Sequence, residues 1–233
     1  MKKLLVILLC LLSLCACATK KTEDDEPVLP EVEVEVGSWL VYQDLPEIND
    51  AVFDKARKSW VGMEFSPLQV LGTQVVAGTN IAYLCYGTPV TAEASDPKLK
   101  VVVVYEDLEG NAEIQTAEDF NIEKYVDSVG ETTPDGLMGG WTDNTELNNM
   151  LDAETNAVFD KAMEGLTGVG YEPVCLLATQ LVSGTNYAIL CKGTTVTAEP
   201  RTHLYVVTVY EDLQGNAELL NICGIDLSSF VQL

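Results

Sequence analysis

Residues able to do catalytic chemistry are few in this chain of 233 residues. Its one histidine, His203, allows a Ser-His-Asp arrangement only in the second half. The acidic pairs Glu106-Asp107 and Glu211-Asp212 occupy neighbouring positions of predicted strands, where side chains point to opposite faces, so they suit a shared acid–base site poorly. The cysteines form no CxxC motif. We therefore predict a protein that is not an enzyme and that needs no metal or cofactor.

The chain contains three segments twice, at a nearly constant offset of 105 or 106 residues. This period is far longer than that of stacked solenoid repeats, and each copy is long enough to close its own core. We predict two tandem domains, residues 36–127 and 137–233, joined by a linker at 128–136. The recurring segments are 51–56 and 157–162, 74–80 and 180–186, and 104–108 and 209–213.

The first residues are typical of an export signal. Lys2 and Lys3 precede an apolar run, Leu4–Leu14, that is too short to span a bilayer. The run ends in Leu-Cys-Ala-Cys, which resembles a bacterial lipobox and predicts acylation of Cys17. Residues 1–17 would then be the signal peptide and 18–35 an acidic tether, with the protein anchored in the cell membrane and facing outward. The alternative is an ordinary signal peptide with incidental cysteines.

Acidic residues outnumber basic ones 36 to 13, a net charge of −23. Loss of residues 1–17 would leave 11 basic residues and a net charge of −25. Nucleic acid and anionic lipid head groups repel such a chain, so we expect neither as a direct partner. We interpret the charge as a solubility feature of an exported monomer.

Each copy follows one pattern of elements. A Gly–Trp segment at Gly37 or Gly139-Gly140 is followed by apolar residues at helical spacing, which predict a helix of three to four turns. The period then changes to two, and strands separated by Ala77-Gly78 and by Glu109-Gly110-Asn111 predict two hairpins. We expect an α+β fold in which each domain packs one helix on a curved antiparallel sheet of four to five strands.

The turn of the first hairpin carries a family resemblance. Both copies fit Gln-x-Val-x-Gly, which resembles the first inhibitory hairpin of cystatins, the inhibitors of papain-like cysteine proteases. Gly139, with Leu137 and Met138 before it, resembles the N-terminal glycine segment of that family better than Gly37 does. The second tips resemble those of stefins but lack the proline after the leucine. The resemblance implies tandem cystatin-like domains whose protease-binding residues are Gly37, Gln74, Val75, Val76, Ala77, Gly78 and Leu108 in the first copy, and Met138, Gly139, Gly140, Gln180, Leu181, Val182, Ser183, Gly184 and Leu213 in the second.

These residue types suit a wedge that enters a narrow cleft. Glycine permits a tight turn, the small residues Ala77 and Ser183 keep the tip thin, and the glutamines can hold the hairpin base by hydrogen bonds. We expect a charge at Gly184 to weaken binding while the fold survives, and one chain to bind two proteases. The alternative is a surface binding or adhesion module that inhibits nothing, since fold alone does not establish function.

Two cysteines of the second copy are candidates for a disulfide. Cys175 and Cys191 flank the first hairpin almost symmetrically, so both could face the same core. The alternative is that they are buried thiols that pack as small apolar side chains.

Overall fold

The computed structural model describes residues 37–42, 50–91, 95–126, 139–145 and 151–231. Two five-stranded antiparallel sheets, one per repeat, form most of this part of the chain. Repeat 1 contains β1 (Trp39–Leu40), α1 (Asp50–Arg57), β2 (Met63–Val76), β3 (Gly78–Pro89), β4 (Lys98–Glu106) and β5 (Ala112–Asp119). Repeat 2 contains β6 (Thr142–Asp143), α2 (Ala153–Ala162), β7 (Val169–Val182), β8 (Gly184–Thr195), β9 (Thr202–Asp212) and β10 (Ala217–Gly224). A short 3₁₀ turn follows each sheet, at Ile122–Lys124 and Leu227–Phe230.

Strands that follow one another in sequence are neighbours in each sheet, in the orders β1-β2-β3-β4-β5 and β6-β7-β8-β9-β10. Both long hairpins shift register at the same place, next to Pro67 in β2 and next to Pro173 in β7. Proline has no N–H to donate to a ladder, which is why it occurs at such irregularities. The repeats therefore share even the local defects of their sheets.

Helix α2 is shorter than the sequence predicts: it has 10 residues, about 2.8 turns rather than three to four. The described part of α1 has 8 residues. The residues before α1, 43–49, lie outside the described part. Neither α1 nor α2, the two α-helices of the described residues, is long and apolar enough to cross a membrane.

Each helix packs on one face of its own sheet. Phe53 and Ala56 of α1 pack in one cluster with Tyr83 and Cys85 of β3. The ring of Phe53 meets that of Tyr83 edge to face, with 5.0 Å between centroids. In repeat 2, Val158 and Phe159 of α2 cover the corresponding face; their partners in the sheet are Ile189, Cys191, Val207 and Val209.

The opposite faces of the two sheets are buried as well, because they pack against each other. One apolar cluster joins both repeats; its fully buried members include Leu71, Leu84, Val101 and Val103 of the first sheet and Leu177, Leu190, Leu204 and Val206 of the second. A single compact unit, Val34–Leu233, contains both repeats.

The expected α+β fold of two tandem cystatin-like domains, each with its own separate core, is therefore wrong. The fold is dominated by strands, and its layers run from α1 through two packed sheets to α2. The physical reason is visible in Val101–Val104, four consecutive buried residues of β4, and in its counterpart Val206–Val209. A continuous apolar run is typical of strands that are buried on both faces. A separate helix-on-sheet domain would leave the second face of these strands exposed to water.

The repeats contact each other with approximate two-fold symmetry. Thr116 Oγ1 donates to the carbonyl of Phe230 at 2.7 Å, and Asn221 Nδ2 donates to the carbonyl of Tyr125 at 3.1 Å. Asn221 and Phe230 are the equivalents of Thr116 and Tyr125, 105 residues further along the chain. Reciprocal contacts of this kind are the mark of an isologous interface. The chain thus folds as a covalent pseudo-dimer.

The possible Cys175–Cys191 disulfide is not formed: both are buried free thiols in the structure, as the alternative had it. The register shift beside Pro173 pairs Cys175 with Leu190 and places it between the sheets, whereas Cys191 faces α2. A one-residue slip moves a side chain to the other face of the sheet. Burial raises the pKa of Cys175 to about 12, so it packs as a neutral thiol.

The shared core predicts that the repeats unfold together. Leu177→Ala in repeat 2 should lower the free energy of unfolding by about 2–5 kcal/mol because it opens a cavity between the sheets. Hydrogen exchange read by mass spectrometry should then show an equal loss of protection in Val101–Val104 of repeat 1. Leu166→Ala, at an exposed site, is the control and should change stability by less than about 0.5 kcal/mol. Loss of protection confined to repeat 2 would contradict the shared core.

Candidate functional site

Three chain segments meet at one end of each sheet. In repeat 1 the N–H of Gly37 donates to the carbonyl of Val75 at 3.2 Å, beside the β2–β3 turn. The β4–β5 turn lies at the same end, since Glu106 pairs with Thr79 on one side and Ala112 on the other. We name these groups the first edge (Gly37, Val75–Gly78 and Asp107–Asn111) and the second edge (Gly139, Leu181–Gly184 and Asp212–Asn216).

A glutamine ties the N-terminal segment to the first hairpin of each edge. Gln74 Nε2 donates to the carbonyl of Gly37 at 2.7 Å, and Gln74 Oε1 accepts from Asn80 Nδ2 at 2.7 Å. In repeat 2, Gln180 bonds the carbonyl of Gly139 at 3.0 Å and Asn186 at 2.8 Å. The sequence indicated the glutamines but not the asparagines. The signal was present, because Thr-Asn follows the glycine in both copies.

A tyrosine of the neighbouring strand holds each hairpin turn. The hydroxyl of Tyr105 donates to the carbonyl of Ala77, and that of Tyr210 donates to the carbonyl of Ser183 at 2.7 Å. Neither tyrosine was predicted from the sequence, although each lies in a recurring segment.

The turn glycine of each hairpin has no room for a side chain. A Cβ on Gly184, whose φ is +133°, would collide with the carbonyl of Glu211 and the ring of Tyr210. Gly78 is equally enclosed, at φ +135°. The expectation that Gly184→Glu leaves folding intact is therefore wrong. These glycines fix the shape of each hairpin turn.

The second turn of each edge is organised by an aspartate. Asp107 Oδ1 accepts from the N–H groups of Glu109 and Asn111, and its Oδ2 accepts from Asn111 Nδ2 at 2.8 Å. The side-chain hydrogen bond from Asn111, followed by that from its backbone N–H, lowers the pKa of the Asp107 carboxyl. Asp212 makes the same bonds to Gln214 and Asn216, and Asn216 lowers its pKa in the same way.

A lysine in the last turn of each helix reaches this second turn. Lys55 Nζ donates to the carbonyl of Gly110 at 3.0 Å, and Lys161 Nζ donates to the carbonyl of Gly215 at 2.7 Å. The helix therefore fixes the turn as well as covering the sheet. The bonded lysine and glycine are 55 residues apart in repeat 1 and 54 in repeat 2.

Apolar side chains project from these fixed turns. Leu108 is 83% exposed, Leu213 77%, Leu181 74% and Val75 47%. Exposed apolar residues that occur singly are ordinary, but here they are grouped on turns at one end of each sheet. Each edge therefore offers an apolar surface on a rigid backbone.

The structure brings together most of the residues that the sequence proposed for each copy. Gly37, Gln74–Gly78 and Leu108 lie at the first edge, and Gly139, Gln180–Gly184 and Leu213 at the second. Gly140 is exposed beside Gly139. Met138 and Cys17 lie outside the described residues.

Among the described residues, no group of three or more His, Cys, Asp or Glu side chains could hold a metal ion. The acidic residues of the edges accept hydrogen bonds from their own turns instead. Comparison with known proteins found no matching family model and no similar curated sequence.

Substitution by alanine should cost more stability at Gly184 than at Gly215, the turn glycines of the second edge. Gly184→Ala should cost about 2–5 kcal/mol of stability, because a strained φ is combined with a collision against backbone. Gly215→Ala, at φ +78° in open space, should cost only about 1–2 kcal/mol. Urea unfolding of both variants measures the difference. Equal costs would mean that the turn does not enclose Gly184.

Proposed function

We propose that this chain is a reversible inhibitor of papain-like cysteine proteases, with one binding edge in each repeat. The observation that carries the proposal is the repetition of one hydrogen-bonded frame. Glutamine, asparagine, tyrosine, aspartate and lysine fix the same three segments in both copies. Apolar tips project from both frames.

The frame supports inhibition because a cleft-blocking inhibitor gains most from rigid, thin, apolar protrusions. Fixed turns lose little conformational entropy on binding. Burial of one exposed leucine contributes about 1.5–3 kcal/mol. Ala77 and Ser183 keep the first turn narrow, and the tyrosine behind each turn holds its backbone in place.

The target class comes from the resemblance of the first turn to the Gln-x-Val-x-Gly hairpin of cystatins. The hydrogen bonds of Gln74 and Gln180 give this pattern a physical reason, since each joins the hairpin to the N-terminal glycine segment. The proposal does not depend on a helix-on-sheet domain. It depends only on three segments held at one end of a sheet.

Glutamate on an exposed tip should disable one edge without disturbing the fold. Leu181→Glu should weaken inhibition at the second edge by at least about tenfold, or 1.4 kcal/mol, because the cleft would bury an unpaired charge. Val75→Glu should act likewise at the first. In a titration against active-site-quantified papain, each single variant should retain half of the inhibitory capacity, and the double variant none.

Two control variants separate this effect from a general loss of structure. Leu181→Met preserves an apolar tip and should inhibit at both edges, and Val61→Glu places the same charge in the loop after α1. Circular dichroism should be unchanged in all of them. If the folded wild-type chain at micromolar concentration inhibits none of several papain-like proteases, the proposal is wrong, and a binding module without inhibitory activity becomes the better interpretation.

We also propose that the protein is exported and held at the cell membrane by acylation of Cys17. The support is the sequence Leu-Cys-Ala-Cys after an apolar run. Cys17→Ser should release the protein into the medium, because no acyl chain could then be attached. Fractionation and gel mobility of the variant measure this. A variant that remains in the membrane fraction with unchanged mobility would refute the anchor.

A further inference from the structure

The first edge lies beside the far end of the second sheet. Gly37 and Trp39 line one cleft together with His203 and Ser228. His203 pairs with Gly193, near the end of β8, whereas the second edge lies where β8 begins, at Gly184. The first edge is therefore next to the part of repeat 2 that is most distant from the second edge.

The segment that runs from the second edge through β6 contacts the far half of the first sheet. The hydroxyl of Tyr86 donates to the carbonyl of Asn144 at 2.7 Å. Asn144 directly follows β6, the strand that begins close to Gly139. Tyr86 pairs with Leu99 near the start of β4, away from the turn at Gly78. The two sheets therefore run in opposite senses across their interface.

The separation of the edges follows from the strands. β3 and β8 have 12 residues each. A rise of about 3.3 Å per residue puts the two edges about 40 Å apart. A globular protein of roughly 200 residues has a diameter of about 40 Å, so two partners of that size fit without collision when they approach from opposite ends. The shared core keeps this geometry rigid.

We propose that one chain binds two protease molecules at the same time, at opposite ends, and so bridges them. This inference rests on the proposed function. It adds an arrangement that tandem domains on a linker would not have, because the direction of each edge is fixed by the packing of the sheets. A protease displayed densely on a surface would be held by both edges at once, which increases avidity without any new contact.

A sandwich binding experiment with the full chain tests the bridge. Papain is immobilised through its surface amines, the chain is captured on it, and soluble papain is then added. The wild-type chain should bind soluble papain in a second step, with about one molecule per captured chain. Leu181→Glu and Val75→Glu should each be captured through the remaining edge but show less than about one tenth of the second binding step.

The outcomes distinguish the bridge from the underlying function. If all three chains are captured but the captured wild-type chain binds no soluble papain, the bridge is wrong and the proposed inhibition is unaffected. A second step that persists in both single variants would also overturn it, because the second molecule would then bind elsewhere. Failure of the wild-type chain to be captured at all would reject the proposed function, and the bridge with it.

Discussion

Packing of the two sheets against each other is the constraint on which the rest of the structure depends. It buries the faces that the helices do not cover, and it gathers fully buried residues of both repeats into one core. Burial of each such Val or Leu side chain contributes about 1.5–3 kcal/mol to the free energy of folding. Exposure of this face to water would therefore strongly destabilise either sheet. The same interface holds the repeats in opposite senses and so sets the direction of both edges.

On this shared core, the edges are built by short-range hydrogen bonds that are almost the same in both repeats. The glutamine–asparagine pair joins the N-terminal segment to the first turn, and the lysine joins the helix to the second. Such bonds contribute about 0.5–1.5 kcal/mol each to stability, far less than the core. Their effect is to fix three turns relative to one another. Rigidity of the edge is thus a consequence of local bonding on a scaffold that the core stabilises.

Much of the local structure could be predicted from the sequence. The recurring segments predicted the two repeats, and Ala77-Gly78 and Glu109-Gly110-Asn111 predicted the turns between strands of period two. The glutamines were identified because their pattern was repeated. Turn chemistry and alternation depend on neighbours in sequence, which is why these expectations were sound.

The errors concern contacts between residues distant in sequence. The run Val101–Val104 indicated burial on both faces, but no local rule says that its cover is the other repeat. The possible disulfide does not form because the register shift at Pro173 puts Cys175 and Cys191 on opposite faces of the sheet. Tyr105 and Tyr210 were missed because strand pairing, not spacing, brings them to the turns.

Hydrogen exchange of the full wild-type chain, with and without saturating papain, is the sharpest test of binding at both edges. Exchange should slow at the first turns of both edges, Val75–Gly78 and Leu181–Gly184, and at the second turns, and should be unchanged in the β8–β9 loop at 196–201. Protection away from the edges, or no protection at either edge in a complex that does form, would contradict it.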